Sequence, residues 1–133
     1  LCRIINCMNR RVFLKFSSIF GVTSLFGLRL PQSAEAATTI CSLSKLPIGG
    51  NFEFTSKTGI PAIVFRTKKG VYAYSLKCTH AGCKCGLSSG ALVCPCHGSK
   101  FDPANGGKVL AGPATTALPK IKVSISGKNV VEA

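Results

Sequence analysis

The chain has 133 residues, 46% of them hydrophobic, and its 17 lysines and arginines against four acidic residues give a formal net charge of +13. This length allows one small domain and a further segment, and the sequence shows no low-complexity tract or internal repeat, which excludes a fibrous or repeat protein. It contains no nucleophile paired with a base and no phosphate-binding loop, so nothing in it predicts catalysis by the chain alone.

The first 36 residues have the pattern of an export signal. Residues 9–15, NRRVFLK, resemble the twin-arginine signal R-R-x-F-L-K, although the usual serine or threonine before the arginines is absent. Residues 16–28 are uncharged and mostly apolar, and residues 34–36 offer an A-x-A cleavage site. Since the only methionine is Met8 and the chain begins with leucine, we predict Met8 as the true start. Residues 1–36 are therefore predicted to be a signal segment.

Retention of this segment as a membrane anchor is the alternative to cleavage. A spanning helix needs about 20 apolar residues, whereas this run has thirteen and is followed closely by Arg29. Cleavage leaves a domain over residues 37–133, expected in the periplasm or on the outer face of the cytoplasmic membrane. If the cell is photosynthetic, the corresponding place is the thylakoid lumen.

From residue 37 onward the sequence predicts only β-strands joined by turns. Apolar and β-branched residues alternate or cluster in short runs, and glycine-containing turns separate the runs. The predicted strands are residues 52–55, 61–67, 71–76, 91–93, 108–110, 121–125 and 130–131. Many short strands with glycine turns predict an all-β fold, either an antiparallel sandwich or a partly open barrel.

Two short loops between these strands contain both histidines and five of the eight cysteines of the protein. Each loop offers a cysteine and a histidine at close spacing, with a second cysteine nearby. The residues are Cys78, His80 and Cys83 in the first loop, and Cys94, Cys96 and His97 in the second. Two thiolates and two imidazoles brought together make a metal site. Tetrahedral zinc is one interpretation, but C-x-H is a tight spacing for zinc. The small residues in both loops allow the close backbone approach that an iron–sulfur cluster requires.

From about residue 40 to the C-terminus the chain resembles Rieske iron–sulfur proteins, and these two loops carry the resemblance. It implies one [2Fe-2S] cluster per chain, with Cys78 and Cys94 bound to one iron and His80 and His97 bound to the other. It also implies that the two loops form a small cluster-binding subdomain on the β-sandwich or partly open barrel.

The resemblance assigns supporting roles to further residues. Cys83 and Cys96 are expected to form a disulfide that joins the two loops. Pro113 belongs to a proline-containing loop that covers the cluster from a third side. Ser99 stands where the family has a serine that donates a hydrogen bond to a bridging sulfide. Phe101 replaces the family's tyrosine, which donates to a cysteine sulfur, and the loss of this donor predicts a lower potential.

The resemblance implies electron transfer by the chain itself, and catalysis only as part of a larger complex. Neutral imidazoles in place of thiolates make a cluster easier to reduce, which predicts a potential of roughly −150 to +300 mV. Ferric iron withdraws electron density from imidazole, so electron uptake is expected to be coupled to proton uptake at His80 and His97. We therefore expect an exported carrier of single electrons in a membrane-associated electron-transport chain.

The alternative function is the iron–sulfur subunit of a quinol–cytochrome c or quinol–plastocyanin reductase, which oxidises quinol. Two departures from the family pattern argue against it. Ala81 replaces a bulky leucine that helps to shield the cluster, and Phe101 lacks the tyrosine hydroxyl. A ring-hydroxylating oxygenase or its ferredoxin fits less well, because such proteins generally lack the disulfide cysteines.

The charge of the predicted domain indicates an acidic partner. Residues 37–133 contain twelve lysines and arginines against three acidic residues. The basic residues are scattered without a basic helix, and export argues against nucleic acid as the partner. We expect an acidic redox partner, such as a cytochrome or a cytochrome b-type membrane complex, or an anionic membrane surface. Lys77, Lys84 and Lys100 flank the loops and are the candidates for this contact.

Two cysteines of this domain, Cys41 and Cys85, have no role in the scheme. Because exported proteins seldom leave thiols free, a second disulfide between them is one interpretation. Strand order alone does not place the two within bonding distance, so two free thiols are the other interpretation.

Overall fold

The computed structural model describes residues 37–133, which form eleven β-strands and one short 3-10 helix. The strands are β1 Thr38–Ser42, β2 Asn51–Thr55, β3 Pro61–Thr67, β4 Gly70–Ser75, β5 Gly86–Ser88, β6 Ala91–Val93, β7 Lys100–Asp102, β8 Lys108–Ala111, β9 Lys120–Ile121, β10 Val123–Ser126 and β11 Asn129–Glu132. The 3-10 helix, Pro103–Asn105, follows β7 directly. Within this part of the chain, no helix has the length and apolar character needed to cross a membrane. The predicted all-β class is confirmed, while the predicted signal segment lies outside the described residues.

The strands form three antiparallel sheets. One four-stranded sheet has the order β2-β3-β4-β9, and a three-stranded sheet has the order β1-β11-β10. A second four-stranded sheet, called here the loop sheet, contains β5, β6, β7 and β8 in chain order. The first of the two predicted metal-binding loops follows β4, and the second connects β6 to β7.

Two hydrophobic cores lie on the two faces of the β3–β4 hairpin. Val64 pairs with Ala73 in register, and both belong to a core that also contains Leu46 and Val130. The adjacent pair, Ile63 and Tyr74, belongs to a second core. That core also contains Leu76 and Leu118, and it continues into the loop sheet through Leu92 and Phe101. Because successive residues of a strand point to opposite faces, the continuous apolar run in β3 supplies both cores at once.

The predicted strand over residues 121–125 is divided in the structure. β9 pairs with β4 through Ile121 and Ala73, whereas β10 pairs with β11 through Ser124 and Val131. The chain therefore passes from one sheet to the other at Lys122. The apolar alternation continues across this point, because Ile121 and Val123 both pack against the core that contains Val64. The sequence pattern consequently contains no sign of the break.

The interpretation of Cys41 and Cys85 as a second disulfide is wrong. Both thiols are free and buried. Cys41 belongs to the core that contains Val64, and Cys85 belongs to the core that contains Ile63. The two cysteines are thus on opposite faces of the β3–β4 hairpin, which keeps them apart.

Candidate metal centre

The first loop is the tip of a hairpin that extends beyond β4. The N–H of Cys78 donates to the carbonyl of Cys83 at 2.9 Å, and the N–H of Gly82 donates back to the carbonyl of Cys78 at 2.9 Å. One step further along the two arms, the N–H of Cys85 donates to the carbonyl of Leu76 at 2.7 Å. These bonds close the loop on itself and direct Cys78 and Cys85 into the core.

The second loop repeats this backbone pattern between β6 and β7. The N–H of Cys94 donates to the carbonyl of Ser99 at 2.8 Å, and the N–H of Gly98 donates to the carbonyl of Cys94 at 3.0 Å. The donors and acceptors stand at the same offsets from the leading cysteine as in the first loop. Gly82 and Gly98 have φ of +76° and +74°, a conformation that glycine adopts without steric cost. The two loops are therefore near copies in backbone geometry.

The candidate metal-binding residues differ in burial. Cys78 and Cys94 are buried, at 3% and 1% exposure, and their Sγ atoms lie within 4.8 Å of each other. His80 and His97 are exposed on the same two loops. Their ring centroids are 4.8 Å apart with an interplanar angle of 87°. The site thus has an inner pair of thiols and an outer pair of imidazoles.

The surroundings of Cys78 favour a thiolate. Burial raises the pKa of this thiol, but hydrogen bonds from the backbone of His80 and Ala81 and from the side chains of Cys94 and Ser99 oppose that effect. The hydrogen bonds outweigh burial, so the pKa of Cys78 lies below its ordinary value. Since a thiolate is the form of cysteine that binds metals, these donors prepare the sulfur for a metal.

A disulfide between Cys83 and Cys96 joins the two loops. The S–S distance is 2.07 Å, and the two cysteines are 13 residues apart in the chain. Cys83 lies on the returning arm of the first loop, and Cys96 lies at the tip of the second. The bond holds the two loops beside each other, and it forms the pairing that the resemblance implied.

A third loop, between β8 and β9, is bound to both of the first two. The N–H of Ala114 donates to Ser99 Oγ at 3.2 Å, and Thr79 Oγ1 donates to the carbonyl of Thr116 at 2.7 Å. Ser99 is completely buried and belongs to the second loop, whereas Thr79 belongs to the first. The Ser99 hydroxyl therefore accepts a hydrogen bond from the third loop while it donates toward Cys78.

Gly112 is the point of closest contact between the third loop and the second. Its φ is +95°, and a Cβ at this position would lie 2.5 Å from Ser99 Cα and 3.0 Å from the carbonyl oxygen of Gly98. Only glycine permits this approach. Pro113 follows and is exposed.

A third buried thiol lies at the site, which the sequence did not predict. Cys85 is 1% exposed, and its Sγ is within 4.8 Å of the Sγ atoms of Cys78 and Cys94. Burial, followed by the negative charges of those two sulfurs, raises the pKa of Cys85 to about 12. The available signal was its place two residues after Cys83, on the returning arm of the hairpin. Phe101 is also completely buried in this core.

The lysines at the site differ in their surroundings. Lys84 Nζ forms an ion pair with Glu53 Oε2 at 2.8 Å, whereas Lys77 and Lys100 are exposed. Beside His80 lies a groove of about 630 Å³. Lysines and small apolar residues share its lining, which includes Lys57, Lys77, Lys120, Lys122, Ile60, Pro119 and Ile121. The carboxylate of Glu132, also in the lining, accepts a hydrogen bond from the N–H of Lys57 at 2.8 Å.

This donor set defines a class of protein. Two buried thiols and two exposed imidazoles stand on matched loops above an all-β base, and N–H groups point at sulfur. The chemistry of these donors fits a two-iron cluster with sulfur ligands on the inner iron and nitrogen ligands on the outer one. The site is therefore that of an iron–sulfur protein with mixed cysteine and histidine donors.

The chain belongs to the Rieske [2Fe-2S] domain family, whose model matches residues 36–122. The predicted family and its [2Fe-2S] cofactor are thereby confirmed. The assignment of individual ligand residues stays a prediction that the donor geometry fits.

Relatives and solved structures agree with this membership. The chain is 41% identical over 68 residues to the cytochrome bc1 complex Rieske iron-sulfur subunit of Streptomyces lividans, covering 49% of this chain and 40% of that protein. It is 44% identical over 63 residues to the cytochrome b6-f complex iron-sulfur subunit of Synechococcus sp., covering 46% of this chain and 34% of that protein. The crystal structure of the plasma membrane Rieske protein from Synechocystis PCC 6803 is 32% identical with a TM-score of 0.61, over 72% of this chain and 99% of that one. The matches thus span less than half the length of the two curated relatives.

Proposed function

We propose that this protein transfers single electrons and holds its [2Fe-2S] cluster with Cys78, Cys94, His80 and His97. The observation that carries this proposal is the sorting of donors by burial, with sulfur inside and imidazole at the surface. When bound, a cluster with these ligands supplies a one-electron couple at roughly −150 to +300 mV.

The residues around the sulfur atoms favour the reduced state. The backbone N–H groups of His80 and Ala81 and the hydroxyl of Ser99 donate toward Cys78. Such donors stabilise negative charge on sulfur, and reduction increases that charge. The apolar core that contains Leu76, Leu92 and Phe101 keeps water away from the inner side of the site.

The exposed histidines are the contact to the outside. His80 and His97 stand at the surface, so a partner can approach their rings without rearrangement of the core. An imidazole that binds iron through one nitrogen keeps a second nitrogen, which holds or releases a proton. Electron uptake coupled to proton uptake at these rings is the expected behaviour.

We further propose a cytochrome b-type membrane complex as the redox partner. The relatives named as subunits of cytochrome bc1 and b6-f complexes support this partner. The disulfide between Cys83 and Cys96 supports a location outside the cytoplasm, because disulfides persist in oxidising compartments. The signal pattern over residues 1–36 supports the same location.

Substitution of the proposed ligands tests the central claim. Cys78→Ala and His97→Ala should lose the electron paramagnetic resonance signal of a reduced [2Fe-2S] cluster and most of the bound iron. Cys41→Ala is the matched control, because Cys41 is a buried free thiol in the other core, and it should keep about two irons per chain. Zinc in anaerobically isolated wild-type protein, with no such signal after reduction, would mean that the proposal is wrong.

A further inference from the structure

Cys85 stands against the two proposed sulfur ligands, and the proposed function gives it no role. The Sγ atoms of Cys85, Cys78 and Cys94 all lie within 4.8 Å of one another, and all three residues are buried. Cys85 forms no disulfide. A third thiol at this distance is close enough to interact with sulfur that binds iron.

The position of Cys85 is fixed by the backbone and by packing. Its N–H donates to the carbonyl of Leu76 at 2.7 Å, across the two arms of the first loop. Leu76, Leu92 and Phe101 belong to the same core cluster as Cys85. These apolar side chains accept no hydrogen bond, whereas the Sγ atoms of Cys78 and Cys94 lie within 4.8 Å of the Cys85 Sγ.

Donor and acceptor roles follow from the chemistry of the three sulfurs. A cysteine that binds iron does so as a thiolate, which has no hydrogen to donate and carries negative charge. A cysteine that binds no iron keeps its S–H group, a weak donor. A hydrogen bond to a charged sulfur is stronger than one between neutral groups.

We propose that the Cys85 thiol donates a hydrogen bond to the sulfur of Cys78 or Cys94 and so raises the reduction potential of the cluster. This inference rests on the ligand assignment proposed above. Reduction places more negative charge on the ligand sulfurs, so a donor aimed at them stabilises the reduced state more than the oxidised state. Cys85 is thus a positioning residue that supplies, from the returning arm of the first loop, a donor that Phe101 cannot supply.

The first test compares potentials in the full chain carrying its cluster. Cys85→Ala removes the donor, Cys85→Ser restores one, and Cys41→Ala removes a buried thiol from the other core. We expect Cys85→Ala to lower the equilibrium constant for reduction about threefold, or about 30 mV for a one-electron couple. Cys85→Ser should recover most of this change, and Cys41→Ala should leave the potential unchanged. A Cys85→Ala potential equal to that of wild type would overturn the proposal.

The second test does not depend on assembly of the cluster in a Cys85 variant. In a background of Cys2→Ala, Cys7→Ala and Cys41→Ala, only Cys85 keeps a thiol hydrogen in the loaded protein. The other cysteines are the two iron ligands and the disulfide pair, Cys78, Cys94, Cys83 and Cys96. The infrared S–H stretching band should move to lower frequency on reduction, since the acceptor sulfur becomes more negative.

The outcomes separate this inference from the function on which it rests. A normal cluster signal with an S–H band that does not respond to reduction would overturn the role of Cys85 alone. A wild-type protein without the [2Fe-2S] resonance signal would overturn the ligand assignment, and the role of Cys85 with it.

Discussion

At the scale of single residues, the potential of this centre depends on which side chains point a hydrogen at sulfur. Ser99 is one such donor, and its hydroxyl is held in place because its oxygen accepts from Ala114. Phe101 occupies the same core with no polar atom and no exposed surface. The exchange of one buried atom at such positions changes the free energy of reduction with little change in packing.

Phe101→Tyr should raise the midpoint potential. The ring is completely buried in the core that contains Cys78 and Cys94, so an added hydroxyl must find its acceptor there. Sulfur is the acceptor that gains negative charge on reduction, which favours the reduced state. A redox titration followed by electron paramagnetic resonance measures the effect, with Phe54→Tyr in the other core as control. An unchanged or lower potential for Phe101→Tyr would contradict this account.

At the scale of elements, three loops of different origin support one site. The first two share a hydrogen-bonding pattern and a disulfide, and the third binds one residue of each, Ser99 and Thr79. The contact of the third loop with the second depends on the missing side chain of Gly112. The loops are therefore coupled, and a change in one is transmitted to the others.

Gly112→Ala should separate the third loop from the second. The new Cβ would lie 2.5 Å from Ser99 Cα in a backbone with φ of +95°. Clash and strain together should lower the free energy of unfolding by about 2 kcal/mol or more. Gly90→Ala is the matched control, because Gly90 has φ of +80° and open space around its Cβ, so strain alone should cost about 1 kcal/mol.

Thermal unfolding and the rate of iron loss to a chelator measure the two effects of Gly112→Ala. Both should change more in Gly112→Ala than in Gly90→Ala. Equal changes in the two variants would show that the close contact with Ser99 is unimportant.

The sequence predicted those elements whose pattern is local. The strands at residues 61–67 and 91–93 were predicted with the bounds that the structure has, because apolar runs between turns mark them. β1, β5 and β7 were missed: β5 and β7 are as short as β6 but each contains a single large apolar residue, and β1 is mostly polar. The break at Lys122 was missed because pairing with different sheets, and no change in alternation, separates β9 from β10.

At the site, too, residues in local motifs could be predicted, whereas residues placed by long-range pairing could not. The four proposed ligands and the disulfide cysteines follow from two short motifs, so they could be predicted from the sequence. The place of Cys85 beside them could not, because it depends on the pairing of Cys85 with Leu76 across the hairpin. The bond from Thr79 to Thr116 joins residues 37 positions apart, and no local pattern reveals it.

At the scale of the whole molecule, the domain is strongly basic. Residues 37–133 carry twelve basic and three acidic residues, and one of those acids, Glu53, is paired with Lys84. The groove beside His80 adds lysines to an apolar lining. An acidic segment of a redox partner fits such a surface, because opposite charge accelerates the encounter and an apolar floor stabilises the docked complex.

Charge reversal in the groove should slow electron exchange with an acidic partner. Lys77→Glu and Lys120→Glu are expected to reduce the association rate about threefold to tenfold each at low ionic strength, and less at high salt. Lys68→Glu is the control, because Lys68 lies in the turn between β3 and β4, at the end of β4 away from the first loop. Stopped-flow kinetics with the isolated membrane complex measures the rates. Equal slowing by Lys68→Glu would show that only net charge matters.

The β3–β4 hairpin contributes residues to both cores, and this restricts how the loops can move relative to the sheets. One face of the hairpin packs in the core that contains Val64, and the other face packs in the core beneath the loops, through Ile63 and Tyr74. A hinge between the metal-binding loops and the sheets would have to open the core that contains Ile63. Its apolar side chains would then be exposed to water, at a large cost in free energy. If the redox group moves between a donor and an acceptor, we expect residues 37–133 to move with it as one body.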